Sequence, residues 1–128
     1  MNRIAIFILG LFFTLASVLS VSARDQGTPE EAGKSATAWT TVCGKVAQIA
    51  HVPQMTNKPT FIYLDEPFPH QVFEIVIWGD ARNTFSRAPE VLYSGKKVCV
   101  AGVDRNFQGI PEIVVDQQSQ ITVMPDKE

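Results

Sequence analysis

The chain beyond residue 40 is divided into short runs rich in β-branched and aromatic residues, and this feature constrains the fold most strongly. Glycine, proline and asparagine separate the runs, which is typical of strands joined by turns and loops. Two prolines in the connection 65–71 exclude a tight hairpin there. The pattern predicts five strands at residues 42–47, 60–64, 72–78, 97–103 and 110–115, with 120–123 extending or following the last.

A helical pattern lies between the third and fourth predicted strands. Asp80 can cap a short helix that runs through Phe85, and residues 89–93 form a second helical turn that ends at Gly95. Residues 104–108 are polar and predict a loop. Three strands, a helix and two strands is the order of the OB fold, a five-stranded Greek-key barrel that binds oligonucleotides and oligosaccharides. We therefore predict an all-β OB-fold barrel with one short helix.

The N-terminus predicts export. Arg3 precedes an almost uninterrupted apolar run over residues 4–21, and the small residues of Val21-Ser22-Ala23 stand before Arg24. This is the arrangement of a cleavable secretory signal peptide. A membrane anchor is the alternative, because the run approaches the roughly 20 residues that span a bilayer, but serine and threonine interrupt its distal part. We predict a signal peptide at residues 1–23, no stable membrane insertion after cleavage, and a periplasmic or secreted protein.

The rest of the sequence divides into three parts. Residues 24–39 are rich in charged and small residues and predict a flexible leader, residues 40–124 form the domain, and residues 125–128 are a C-terminal tail. The chain has a formal net charge of −2 at pH 7. It therefore lacks the broad positive potential that drives non-specific binding to phosphate backbones, although a local basic site remains compatible with this balance.

Motifs in the second half of the domain resemble a known group of proteins. They are Tyr93-x-Gly95-Lys96-x-Val98-Cys99-Val100-x-Gly102, Gly109-x-Pro111-Glu112-Ile113-x-Val115 and Ser119-Gln120-Ile121. This half is similar to the closing half of the OB-fold domains in small secreted bacterial proteins and beside some secreted nucleases. The first half agrees less sharply, through Val42-Cys43-Gly44-x-Val46 and Phe73-x-Ile75-Val76-Ile77-Trp78-Gly79. The resemblance spans residues 41–123 and implies a nucleic-acid-binding-like OB fold, but no particular activity.

The chain has two cysteines, Cys43 and Cys99. In an exported domain an even pair most simply forms a disulfide, and the C-x-x-C spacing of a reactive thiol pair or metal site is absent. The first and fourth strands of an OB-fold barrel are neighbours, and the cysteines fall on them, out of phase with the alternating valines. We therefore predict a disulfide bridge across this seam of the barrel.

Ligands of OB-fold barrels usually bind on the second and third strands, between the flanking loops. The candidate ligand-binding residues there are Lys58, Tyr63, Trp78, Arg105 and Phe107. Aromatic faces beside lysine and arginine suit the stacking of single-stranded nucleic acid. Aromatic residues of strands can equally belong to the core, and strand alternation leaves some of these side chains inside.

The sequence shows no pattern that predicts catalysis or a metal site. The two histidines, His51 and His70, lie in different predicted loops without a cluster of other ligands, no nucleophile motif occurs, and Glu112 is interpreted as structural, closing a barrel loop. We expect no enzyme activity, no cofactor and no metal. Two functions remain open. One is an exported binding module for single-stranded nucleic acid or another oligomeric ligand. The other is an envelope or extracellular module that binds a protein partner through the Pro-rich loop 66–71 around Phe68 or through an edge of the barrel.

Overall fold

The computed structural model describes residues 26–27 and 39–126. The predicted signal peptide, most of the predicted leader and residues 127–128 lie outside these ranges. In chain order the elements are β1 (Gln26–Gly27), β2 (Trp39–His51), β3 (Thr60–Leu64), β4 (Phe73–Ile77), α1 (Gly79–Arg82), α2 (Pro89–Tyr93), β5 (Lys97–Phe107), β6 (Ile110–Val114), a 3₁₀ helix (Gln118–Gln120) and β7 (Ile121–Val123).

Five strands close into a ring in the order β2-β3-β4-β6-β5, and β5 returns to pair with β2. Neighbouring strands are antiparallel except β4 and β6, which run parallel. The helices α1 and α2 connect the third barrel strand, β4, to the fourth, β5. This is the topology of the OB fold, which confirms the predicted fold class. The additional strand β7 pairs with β5, and β1 pairs with β2.

The first barrel strand, β2, is longer than predicted because it serves two partners. Residues 39–45 pair with β5, and residues 46–51 pair with β3. The register shifts between Val46 and Gln48, which is where a bulge lets one strand bend from one side of a barrel to the other. The prediction of 42–47 covered the segment around this bulge and missed both ends.

The predicted helix through Phe85 is shorter in the structure. The α-helix ends at Arg82, because the amides of Thr84 and Phe85 bond three residues back, to the carbonyls of Ala81 and Arg82. Such bonds form the tighter 3₁₀ type of turn that often ends a helix. The cap was also predicted wrongly: Trp78 occupies the N-cap position without a side-chain bond, and Asp80 lies in the first turn.

Residues 104–107 of the predicted polar loop are instead the end of β5, and Gln108 begins the turn that follows. Gln108 and Gly109 both have positive φ, 50° and 87°, as the two-residue turn of a tight β-hairpin requires. The Gly109 amide donates to the side-chain oxygen of Asn106 at 2.9 Å, and Phe107 pairs with Ile110 across the turn. The sequence pattern here is that of a polar loop because the side chains at this end of β5 are largely exposed.

The disulfide between Cys43 and Cys99 is confirmed, and the two residues are directly opposite each other on β2 and β5. The barrel interior is apolar, and its largest fully buried side chains include Phe73, Ile62, Leu64, Ile75, Ile77, Ile113, Val42, Val98, Val100 and Val115. Gly102 is required within this packing, since a Cβ there would lie 2.5 Å from Cγ2 of Ile113.

Candidate ligand-binding face

The outer surface of β3 carries two aromatic side chains. Ile62 and Leu64 point into the core, so strand alternation turns Phe61 and Tyr63 to the opposite side of the sheet. The two rings are nearly parallel, with centroids 6.1 Å apart and 5° between their planes. Phe68 continues this line, because its ring lies 5.9 Å from that of Tyr63. We call Phe61, Tyr63 and Phe68 the aromatic row.

The connection 65–72 between β3 and β4, the covering loop, folds onto this outer surface. The amide of Phe68 donates to Oε1 of Gln48 at 3.1 Å, which ties the loop to β2. Tyr63 is only 7% exposed, whereas Phe68 is 62% exposed. Phe68 therefore presents the apolar surface at this end of the face, and Tyr63 supports it from below.

A second row of side chains runs across the strands at the level of Tyr63. The register places Gln48, Tyr63, Glu74, Glu112 and Arg105 opposite one another in succession on β2, β3, β4, β6 and β5. We call this set the polar row. Because facing residues of paired strands project from the same side of a sheet, the aromatic row and the polar row share the outer face.

The centre of the polar row is a pair of carboxyl groups. Glu74 and Glu112 are 7% and 3% exposed, and they are register partners on β4 and β6. Burial, the bond to Glu112 and the charge of Glu112 raise the pKa of Glu74 to about 7, while a bond from Gln71 acts in the opposite direction. Burial and the charge of Glu74 also raise the pKa of Tyr63.

Arg105 provides the positive charge beside this pair. Its Nε donates to Oε1 of Glu112 at 2.7 Å, while its side chain stays 49% exposed. The guanidinium group is therefore held against the carboxyl pair and still reaches solvent, where an anionic group can contact it. The prediction that Glu112 closes a loop is wrong: Glu112 lies within β6 and bonds across to β5.

A pocket of about 740 Å³ opens at the other end of β3 and β4, with His51, Lys58, Trp78 and Arg82 in its lining. The Gly79 amide donates to the Asn57 carbonyl at 2.8 Å. A Cβ on Gly79 would stand 3.1 Å from that oxygen and from Cβ of Lys58. The pocket wall thus depends on a close approach of the β2–β3 loop to α1.

Arg82 is fixed in the wall of this pocket. It donates to Oγ1 of Thr60 at 2.9 Å and to Oε1 of Glu90 at 3.1 Å. Burial alone raises the pKa of Glu90, but the bonds and charge of Arg82 outweigh it and hold the pKa below its usual value. Because Glu90 engages Arg82, Lys58 supplies the more available positive charge of the pocket.

The five predicted site residues fall into two groups. Lys58 and Trp78 form the first group and line the pocket. The second group consists of Tyr63 and Arg105 in the polar row and of Phe107, which lies two residues after Arg105 on β5 and is 56% exposed beside the hairpin turn. The four steps from Glu74 to Trp78 separate the groups by about 13 Å along the strand. They therefore do not form one compact cluster.

Sequence reasoning missed the carboxyl pair and the role of Arg82. One signal was available: Glu74 is the single charged residue within the apolar run Phe73–Ile77, and a charged residue in a buried strand requires a partner. Its partner, Glu112, lies on β6, 38 positions further along the chain. Only the register of β4 and β6 brings these two residues together.

Within residues 26–27 and 39–126, no helix is long and apolar enough to cross a membrane. The same residues hold no group of three or more His, Cys, Asp or Glu side chains arranged to bind a metal ion.

Among solved structures, the chain is similar to the crystal structure of the S. pombe Stn1-ten1 complex, with 21% sequence identity and a TM-score of 0.46. It covers 69% of this chain and 59% of that chain, so this protein matches less than two thirds of its neighbour's length. No protein-family model matches the chain, and no curated protein matches it. A likeness of this size supports no conclusion about the ligand, and the function rests on the geometry of the outer face.

Proposed function

We propose that this protein is an exported, non-catalytic OB-fold module that binds single-stranded nucleic acid on the outer face of β3 and β4. The observation that carries the proposal is the line of three rings on the outer face, in which Tyr63 is buried between the more accessible Phe61 and Phe68. Aromatic rings on a sheet surface stack with bases of any sequence, and each stacked base contributes about 1 to 3 kcal/mol. Phe61 and the exposed Phe68 are the rings most available to a ligand.

The two groups of candidate residues suit the two ends of a short nucleic-acid segment. Lys58 and Trp78 lie at the pocket, and Arg105 and Phe107 lie near the β5–β6 hairpin. The aromatic row lies on β3 and the covering loop, on the same outer face. The length from the pocket to the β5–β6 hairpin suits about four nucleotides, the low end of the range for one OB fold.

The charge of this face explains why we expect modest affinity. Lys58 and Arg105 are few cations for a phosphate backbone, and the chain as a whole carries a formal charge of −2. Arg105 also balances Glu112. We therefore expect micromolar binding that weakens as salt rises, because releasing condensed counterions is a major part of the driving force.

Fluorescence anisotropy with labelled single-stranded DNA and RNA oligomers tests the proposal. The mature protein is titrated at pH 6, at low and at physiological salt, with a duplex of the same sequence as the control ligand. Arg105→Ala should weaken single-strand binding on the order of tenfold, as loss of one charge-assisted phosphate contact implies. Thermal unfolding of each variant shows whether the fold is retained.

Arg87→Ala is the matched control, since Arg87 is exposed on the segment that connects α1 and α2. The neighbouring Ser86 amide bonds to the side chain of Gln118, which places this segment beside the 3₁₀ helix. We expect unchanged affinity in this variant. Absence of single-strand binding even at low salt would remove the nucleic-acid proposal, and equal losses in both variants would remove the site.

A second candidate function is binding of an envelope or extracellular protein partner. Phe68 and Phe107 are 62% and 56% exposed, and exposed aromatic side chains are characteristic of protein interfaces. A pull-down from the native envelope with wild-type protein and Phe68→Ser distinguishes this function. A partner that depends on Phe68 and is retained at high salt favours it, because apolar contacts are not weakened by salt in the way phosphate contacts are.

Export is tested separately. Expression of the full chain in a bacterial host, followed by fractionation and N-terminal sequencing, should give a periplasmic or secreted product that begins at Arg24. A full-length product in the membrane fraction would favour the anchor instead.

A further inference from the structure

We propose that binding on the outer face is coupled to the uptake of one proton by the Glu74–Glu112 pair, so that the domain holds nucleic acid in mildly acidic surroundings and releases it above neutral pH. This inference rests on the proposed function and adds a means of regulation to the same site.

Two carboxyl groups directly opposite each other on neighbouring strands cannot both ionise cheaply. Glu74 and Glu112 are cross-strand partners on β4 and β6, and both are more than nine-tenths buried. Like charges in such positions repel, and burial adds a cost to each charge. One shared proton removes the repulsion, and the register places the two residues side by side on the outer face, where they can share it.

The groups around the pair leave this proton as the adjustable charge. On β3 and β2 the neighbours are Tyr63 and Gln48. Gln48 carries no titratable group, and burial and the charge of Glu74 raise the pKa of Tyr63, so both are neutral near pH 7. On the covering loop, Gln71 bonds to Glu74. On β5, the guanidinium group of Arg105 bonds to Glu112.

The covering loop carries three further titratable residues, Asp65, Glu66 and His70, which are all exposed. The Asp65 carboxylate accepts the backbone amide of Lys45 at 3.0 Å, which directs it to β2. Within the described residues, Arg105 is the only cation that forms a salt bridge with either member of the pair.

The net charge of the polar row therefore depends on pH. With one proton shared, the single negative charge of the pair is offset by Arg105, and the row is neutral. Burial, together with the bond and charge of Glu112, raises the pKa of Glu74 to about 7, so the proton is lost close to neutral pH. The row then carries one net negative charge, which repels phosphates and draws Arg105 more strongly toward Glu112.

The test measures the affinity of the mature protein for a labelled single-stranded DNA oligomer from pH 5.5 to 8.5 at constant ionic strength. We expect wild-type affinity to fall on the order of tenfold across this range, as one added charge within a few ångströms of the bound phosphates implies. Glu74→Gln removes the titrating group while keeping a polar side chain of the same shape. It should bind with nearly constant affinity, close to that of the wild type at pH 5.5.

Asp126→Asn is the control, since this exposed carboxylate follows β7 and lies off the polar row. It should keep the wild-type pH dependence. Carbon-13 NMR of the labelled glutamate side chains, without ligand, reads the protonation of Glu74 independently of binding and of any effect of the substitution on folding.

The possible outcomes separate the two proposals. Wild-type binding that is equally strong at every pH overturns the coupling and leaves the proposed function intact. A fall that is the same in Glu74→Gln assigns the effect to other groups and also overturns the coupling. Absence of binding at pH 5.5 overturns the proposed function itself, and the coupling with it.

Discussion

Two pairs of side chains in this barrel stand directly opposite each other on neighbouring strands, and they are held together in different ways. Cys43 and Cys99 join β2 to β5 through a covalent bond. Glu74 and Glu112 face each other on β4 and β6 without a covalent link, and in the coupling we propose a shared proton removes the repulsion between them. The first pair is uncharged at any pH, whereas the charge of the second is set by the solution around it.

The positions of the two pairs explain this difference. The cysteines stand at the seam where β2 and β5 close the barrel, and no candidate ligand-binding residue lies beside them in the register. The carboxyl pair lies in the middle of the outer face, between Tyr63 on one side and Arg105 on the other. The disulfide stabilises the closure of the barrel, whereas in our proposal the carboxyl pair makes the charge of the outer face depend on pH.

The largest effect is expected from removing the seam bond. The double variant Cys43→Ala/Cys99→Ala should lose about 4 kcal/mol of unfolding free energy, because the bridge closes a loop with a sequence separation of 56 residues and so restricts the unfolded chain. Urea denaturation of the oxidised wild type and the variant measures this difference.

The wild type unfolded in the presence of a reductant is the control and should match the double variant. If the oxidised wild type and the variant differ by less than about 1 kcal/mol, the bridge contributes little and the seam is held by packing alone.

The next effect is the pH dependence of stability at the carboxyl pair. The pKa of Glu74 is raised from 4.5 to about 7 in the folded protein, so between these values the folded protein holds a proton that the unfolded chain has released. Stability is therefore fully present below about pH 4.5 and falls as the pH rises to about 7, by at most about 3 kcal/mol. Chemical denaturation from pH 4 to 8 measures the fall.

Glu74→Gln identifies the source of this slope. Other buried carboxyl groups, such as Asp104 with its raised pKa, contribute equally to both proteins, so the difference between them isolates Glu74. We expect the variant to have a flatter profile between pH 4.5 and 7. Parallel profiles would mean that the carboxyl pair does not share a proton in the folded state.

The same two pairs show how far the sequence reveals such a structure. The disulfide was predictable because the chain has only two cysteines and the strand order placed them on adjacent strands. The carboxyl pair was not, since Glu74 has many possible partners among the acidic residues and only the parallel register of β4 and β6 selects Glu112. Likewise, the hairpin at Gln108 escaped prediction because glutamine is an uncommon residue at positive φ.

The third prediction asks which of the two regions contacts the ligand. Phe61→Ala removes the ring next to Tyr63 on the outer face and should weaken single-strand binding by about 1 to 3 kcal/mol, the value of one stacked base. Val103→Ala is the control, because Val103 is 49% exposed and lies on the seam, opposite Trp39. Anisotropy titrations at pH 6 compare both with the wild type, and an equal loss in the two variants would contradict binding on the outer face.

The smallest effect is expected from Lys58→Ala, at the pocket end of the face. Loss of one phosphate contact should weaken binding a few-fold and lower the slope of log affinity against log salt by about 0.7. The pocket is about 13 Å from Glu74 along β4, which exceeds the screening length of about 8 Å at physiological salt. The factor lost should therefore be the same at pH 6 and pH 8, measured by anisotropy at several salt concentrations. A loss that grows or shrinks with pH would show that the pocket and the carboxyl pair act as one charged site, and the distinction between the two ends of the face would then be wrong.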